Sequence, residues 1–289
     1  MANESDSLPA SQALRICAVR ELFEETGILL ACDKSDESKP PHLLACLLSH
    51  SDCKAWRKRV QEKAGSLALL YGELGLKLPL SALEEWSNWL TPAHNKKRFD
   101  TIFYYAGISG LKYLNGGSSS VISEPSEEVH SLYLDSPAAF LSHNPNDEGP
   151  VFMSTTKSPL MPPQAYELCR VIRFPHVAQL TRFARQRASF GCRRWNCVLA
   201  YAKCNKTNDS LVPMYLLPGD KRYKDAHEFS EEHGETITLT GDWQSDSHLN
   251  RLLIMRKQYP GLWWKSNIFD LGHVLPVTLE EFTMNYAQN

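Results

Sequence analysis

The amino-acid sequence predicts an α/β fold, and three observations carry that expectation. A helical apolar pattern beginning near residue 9 is closed by Gly27 and followed at once by apolar Ile28-Leu29-Leu30-Ala31. Two aromatic and β-branched runs, residues 86–92 and 98–105, are separated by the turn-forming His94-Asn95-Lys96-Lys97. Pro162-Pro163 opens an amphipathic stretch that carries Leu168, Val171 and Ile172 on one side.

The first helix starts at Ser7-Leu8-Pro9, where Pro9 suits the first turn, and Leu14, Ala18, Leu22 and Phe23 supply its apolar side. Residues 28–31 then read as a short buried strand, and the charged segment 33–41, ending in two prolines, as a loop. From residue 42 to 79 the pattern is read as helical, an insertion outside any sheet. Trp56, Val60 and Ala64 lie on one face there, with Arg57, Lys58 and Lys63 away from it. A further helical run covers 67–74 and stops at Gly75. Gly116-Gly117-Ser118-Ser119-Ser120 has the composition of a flexible linker. Residues 129–134 read as a strand, 136–143 as a short helix, and 176–187 as another helix. Strands are expected at 198–202, 213–217 and 236–240, with a turn at Pro218-Gly219-Asp220.

Composition excludes several classes of function. Thirty-one basic against 33 acidic side chains among 289 residues give no broad surface for nucleic acid. No run approaches the roughly 18 apolar residues that a membrane span needs. The polar, acidic start fits neither a signal peptide nor an Arg-rich transit peptide, so an intracellular, soluble protein is expected. The eight cysteines include no C-x-x-C pair. Cys192, Cys197 and Cys204 lack the spacing and the fourth ligand of a zinc site, so reduced thiols are expected.

The chemistry-bearing segment is Arg20-Glu21-Leu22-Phe23-Glu24-Glu25-Thr26-Gly27-Ile28. Three carboxylates at offsets 0, 3 and 4 share one helical face, where like charges repel by roughly 0.2–0.5 kcal/mol per pair. Such a face is either solvated or built around a cation. The full pattern, R-E-apolar-x-E-E-x-G-apolar, resembles the second half of the Nudix box, the divalent-metal site of diphosphate hydrolases. Arg15-Ile16-Cys17-Ala18-Val19, Trp86-Ser87-Asn88-Trp89-Leu90-Thr91-Pro92 and Lys97-Arg98-Phe99-Asp100-Thr101 narrow the resemblance to the peroxisomal-type acyl-coenzyme A diphosphatases. Residues 160–167 and 215–220 agree more weakly, so the similarity runs from about residue 12 to about 225.

The resemblance implies a Nudix α/β/α sandwich with a helical insertion and a C-terminal extension. Its expected division is a hydrolase domain over 8–190, with the metal helix at 9–27 and the insertion at 42–79, then an extension over 191–289. It implies hydrolysis of the diphosphate in coenzyme A or acyl-coenzyme A, giving adenosine 3′,5′-bisphosphate and (acyl-)4′-phosphopantetheine. Another nucleoside diphosphate derivative as substrate, or a non-catalytic Nudix module, are the alternatives. Mg²⁺ or Mn²⁺ would be held by Glu21, Glu24 and Glu25, with Arg20 bracing a carboxylate and one of the three glutamates orienting the water. Glu127 or Glu128 would supply an extra acid from a loop, and Lys97 and Arg98 would meet the 3′-phosphate of the substrate. Tryptophans 86 and 89 fit core packing better than stacking on adenine.

Two features depart from the family pattern. Asp6 and Gln12 stand where a complete box carries its Gly and its first Glu, so an N-terminally shortened chain with an incomplete sheet is expected. Tyr286-Ala287-Gln288-Asn289 is not a small-basic-Leu tripeptide. A peroxisomal location therefore rests on the resemblance, with mitochondria or cytosol as alternatives.

Overall fold

A computed structural model describes residues 8–32, 43–114, 136–143, 152–154, 160–203, 211–233, 235–256, 260–267, 273–277, 281 and 284. In chain order the elements begin with α1 (Ala10–Thr26), β1 (Leu29–Cys32), β2 (Leu43–Leu47), α2 (His50–Glu62) and α3 (Ser66–Glu73). Next come β3 (Glu84–Leu90), β4 (Asp100–Tyr105), β5 (Ile108–Tyr113), β6 (Leu141–His143), β7 (Phe152–Ser154), α4 (Pro162–Val171) and α5 (Val177–Ala188). The remainder is β8 (Arg194–Asn196), β9 (Val198–Lys203), β10 (Leu211–Leu216), α6 (Tyr223–His233), β11 (Ile237–Leu239), β12 (Asn250–Arg256) and β13 (Pro260–Ser266). The chain divides into two compact units, one of Met1–Glu84 with Tyr104–Leu134 and one of Glu85–Phe103 with Asp135–Asn289.

The first unit packs α1, α2 and α3 with a three-stranded sheet in the order β1-β2-β5. β1 runs antiparallel to β2, and β5 runs parallel to it. β1 is buried along its whole length, as its unbroken apolar run requires. Residues 43–47 are thus a central strand and not the start of a helix. An apolar run of five fits either state locally, and pairing on both sides decides for the strand. The helical pattern expected from residue 42 begins instead at His50, capped by Ser49, whose side chain accepts from the Asp52 N–H at 3.2 Å.

In α1 the buried stripe is Val19, Phe23 and Thr26. Leu14, expected inside, is 46% exposed, because the first turns of the helix project beyond the core. Gly27 ends the helix at φ 73°, and its N–H donates to the Phe23 carbonyl at 2.9 Å. A Cβ there would also lie 2.7 Å from Cys53 Sγ on α2. Glycine is required at this position for its left-handed backbone and for the close approach of α2.

The second unit contains a seven-stranded sheet in the order β11-β9-β10-β12-β13-β7-β6. Along β9, Val198, Ala200 and Ala202 alternate inward and pack with Ala226 of α6 and Met214 of β10. A second sheet, β4-β3-β8, carries the expected 86–105 hairpin, closed where the Thr91 N–H donates to the Phe99 carbonyl at 2.9 Å. Residues 136–143, expected as a helix, form a short 3₁₀ turn and then β6, which pairs with β7. α4 and α5 fall where the sequence places them. Leucine and cysteine burial on α4 meets Trp89, Leu252 and Trp264 in one core cluster.

The same unit holds a buried ionic cluster centred on Arg251 of β12. Arg251 donates to Asp220 at 2.7 and 3.0 Å, to Asp246 at 2.7 Å and to the Trp243 carbonyl. Arg222 adds a second partner for Asp246 at 2.9 Å, and Asp220 also accepts backbone N–H groups of Arg222 and Asn250. All seven described cysteines are free thiols.

Candidate functional site

The helix periodicity of α1 sets Glu21, Glu24 and Glu25 on adjacent turns, each partly exposed. Arg20 stands between the first two. Its guanidinium bonds Glu21 Oε1, and its Nε lies 3.3 Å from Glu24 Oε1. The latter contact lacks hydrogen-bond geometry, leaving Arg20 Nε and Glu24 Oε1 buried and without hydrogen bonds. Burial raises the pKa of Glu24, with the Arg20 charge pulling it down and Glu21 pushing it up.

The end of this helix is fixed from outside the motif. Arg57 on α2 donates to the Glu24 carbonyl at 2.7 Å and to the Glu25 carbonyl at 3.1 Å. These are two of the orphan carbonyls of the last turn, at the negative end of the helix dipole. The sequence places Arg57 on the outer side of its helix and gives no sign of this role. Its signal is visible only once α1 and α2 are packed together.

The donor set fits a hard divalent ion, since all three side chains offer oxygen and Glu24 Oε1 lacks a hydrogen bond. Among the described residues, however, no three His, Cys, Asp or Glu side chains converge on one point where an ion could sit. Glu127 and Glu128 lie outside the described residues, as does the strand expected at 129–134.

In the second unit, Arg98 donates to the Thr91 carbonyl at 2.8 Å and to Glu231 at 3.0 Å, and Lys97 sits 4.9 Å over the Phe99 ring. Tryptophans 86 and 89 are core residues, 4% and 3% exposed, and both indole N–H groups donate to Glu167, at 2.7 and 2.8 Å. A largely apolar pocket of about 380 Å³ opens in the same unit, lined among others by Trp89, Phe99, Phe103, Met161, Pro162 and Tyr215. Its size and lining suit a flexible apolar chain. No helix among the described residues is long and apolar enough to cross a membrane.

Comparison with known proteins adds ancestry to this geometry. The chain is 35% identical over 244 residues to the acyl-coenzyme A diphosphatase NUDT19 of Gallus gallus, covering 81% of this chain and 58% of that protein. Its identity to the Xenopus laevis protein of the same name is 29% over 258 residues, 86% of this chain and 62% of that one. For the Homo sapiens protein the values are 31% over 236 residues, 79% and 56%. The chain thus spans about three-fifths of the length of the curated relatives it matches. No solved structure matches it. The model of the NUDT19 Nudix domain matches residues 1–171, which include α1 with its three glutamates, and on that match the chain belongs to the NUDT19 Nudix domain family.

Proposed function

We propose that this chain hydrolyses the diphosphate linkage of coenzyme A or acyl-coenzyme A, giving adenosine 3′,5′-bisphosphate and (acyl-)4′-phosphopantetheine. The observation that carries the reading is the half Nudix box of α1, with Glu21, Glu24 and Glu25 on successive turns of a helix anchored at Gly27. The names of the three relatives supply the substrate class.

Glu21, Glu24 and Glu25 would hold Mg²⁺ or Mn²⁺. When bound, such an ion neutralises charge on the diphosphate and activates a water. Arg20 would orient Glu21 through its hydrogen bond, and its ion pair with Glu24 would give way for both carboxylates to face a common ligand. Glu24 Oε1, without a hydrogen bond and with its pKa raised by burial, is suited to accept the proton of the attacking water. Lys97 and Arg98 are proposed as contacts to the 3′-phosphate. Arg98 would take that role only by exchanging Glu231 for the phosphate.

The test is turnover of coenzyme A, acyl-coenzyme A and dinucleotides by the purified chain with Mg²⁺ or Mn²⁺, the products identified by mass spectrometry. Coenzyme A-type substrates are expected to be preferred, and Glu21→Gln to lower the rate about 100-fold or more. Preference for a dinucleotide would overturn the substrate assignment. Mn²⁺ titration by calorimetry separates the remaining case: no uptake, and none altered by Glu21→Gln, would leave a binding module.

A further inference from the structure

A second polar site lies away from the glutamates of α1. In the second unit, a cavity of about 20 Å³ is lined by Ser87, Asn88, Glu167, Arg170, Arg187 and His273, with Arg193 at its edge. Arg170 and Arg187 are 1% and 7% exposed. Arg170 donates through Nε to the Val274 carbonyl at 2.9 Å and through Nη1 to Glu167 at 2.7 Å, but its Nη2 has no partner among the described residues. Arg187 donates through Nη1 to the Glu85 carbonyl at 2.9 Å and to Cys192 Sγ at 3.2 Å, while its Nε has none. Ser87 Oγ and Asn88 Oδ1 are likewise buried and without hydrogen bonds.

Four residues with an unsatisfied buried polar atom line one cavity, an unusual concentration, since buried polar groups are nearly always bonded. The charge is unbalanced as well. Glu167 is the one carboxylate among the lining residues, and it already accepts from Trp86, Trp89 and Arg170. A guanidinium cannot shed its proton, so the excess positive charge must be met by an anion or carried at a cost.

We propose that this cavity binds one small inorganic anion of about chloride size, held by Arg170 Nη2, Arg187 Nε and the Ser87 hydroxyl. Asn88 joins them with its amide turned to present N–H, an orientation that coordinates alone do not fix. The cavity is small and partly open to solvent, with room for a water-sized body, which suits a small ion. A water would satisfy the hydrogen bonds but not the charge. The neighbouring imidazole reports the same field: burial, then the charges of Arg170 and Arg187, lower the pKa of His273 to about 2.

The test uses the full chain, with thermal unfolding followed at constant ionic strength while chloride or bromide replaces gluconate, and inorganic phosphate as a separate arm. A saturable rise of several degrees with the halides is expected, and little with phosphate. Asn88→Asp places a carboxylate at the cavity; it should remove the halide dependence and keep the high midpoint without salt. Bromide anomalous scattering from crystals of the unaltered protein should place one ion beside Arg170 and Arg187. A midpoint indifferent to halide, with an ordered water only at that position, would overturn the proposal.

Discussion

The Arg20 cluster on α1 and the Arg251 cluster of the second unit both set arginine against two carboxylates, a second arginine, Arg222, joining the latter, and the results are opposite. Arg251 is 2% exposed, between aspartates at 0% and 3%, and every carboxylate oxygen there has a donor. Arg20 and Glu21 are 29% and 43% exposed, and Glu24 keeps an oxygen without a hydrogen bond. Burial raises the pKa of both Glu24 and Asp246, but at Asp246 the bonds to Arg222 and Arg251 outweigh it and leave the carboxyl below its usual range. A cluster that closes on itself serves the fold. One that stays open has capacity left for a ligand.

This contrast makes graded predictions. The largest effect is expected from Arg251→Ala, which takes its guanidinium partner from buried Asp220 and leaves Asp246 to Arg222 alone among guanidiniums, and should cost about 3–5 kcal/mol in urea unfolding. A loss under about 1 kcal/mol would show that the second cluster is no more structural than the first. Next comes acid. Because the folded pKa of Asp246 is depressed, its contribution is present above the ordinary value of about 3.9 and fades as pH falls through the lower folded value. The unfolding midpoint should therefore hold down to about pH 4 and drop below it, and Asp246→Asn should flatten that acid limb. The smallest change in stability is expected for Arg20→Ala, under about 1 kcal/mol, since its hydrogen-bonded pair with Glu21 is partly exposed and its contact with Glu24 lacks a hydrogen bond. The same variant should still weaken Mn²⁺ uptake by roughly 10-fold or more, as loss of an orienting partner does. If it unfolds the chain instead, Arg20 belongs with Arg251 as a structural residue.

What the sequence revealed follows the range of the forces involved. α1, α4, α5 and the 86–105 hairpin were readable because their signals are local: Gly27 after the last turn, Pro162-Pro163 at a first turn, a polar turn between aromatic runs. β2 was misread because Leu43 and its neighbours form a strand only through pairing with β1 and β5. The three glutamates were visible as a pattern, but Arg57, 33 residues from Glu24 in the chain, was not recognisable as the clamp on their helix. The same holds for Arg251 and Asp220, 31 residues apart, and for Arg170 and Arg187 beside Asn88. Burial of a charge is a tertiary outcome, and no window of sequence reports it.

The grip of Arg57 on the last two glutamate carbonyls also gives α1 a direction of wear. Its final turn is tied by that guanidinium, by the Gly27 N–H and by the Thr26 hydroxyl bonded to the Leu22 carbonyl, while its opening turns stand out in solvent. Thermal fraying therefore consumes the helix from Ala10 inward, and the acidic turns are the last part of it to lose their shape.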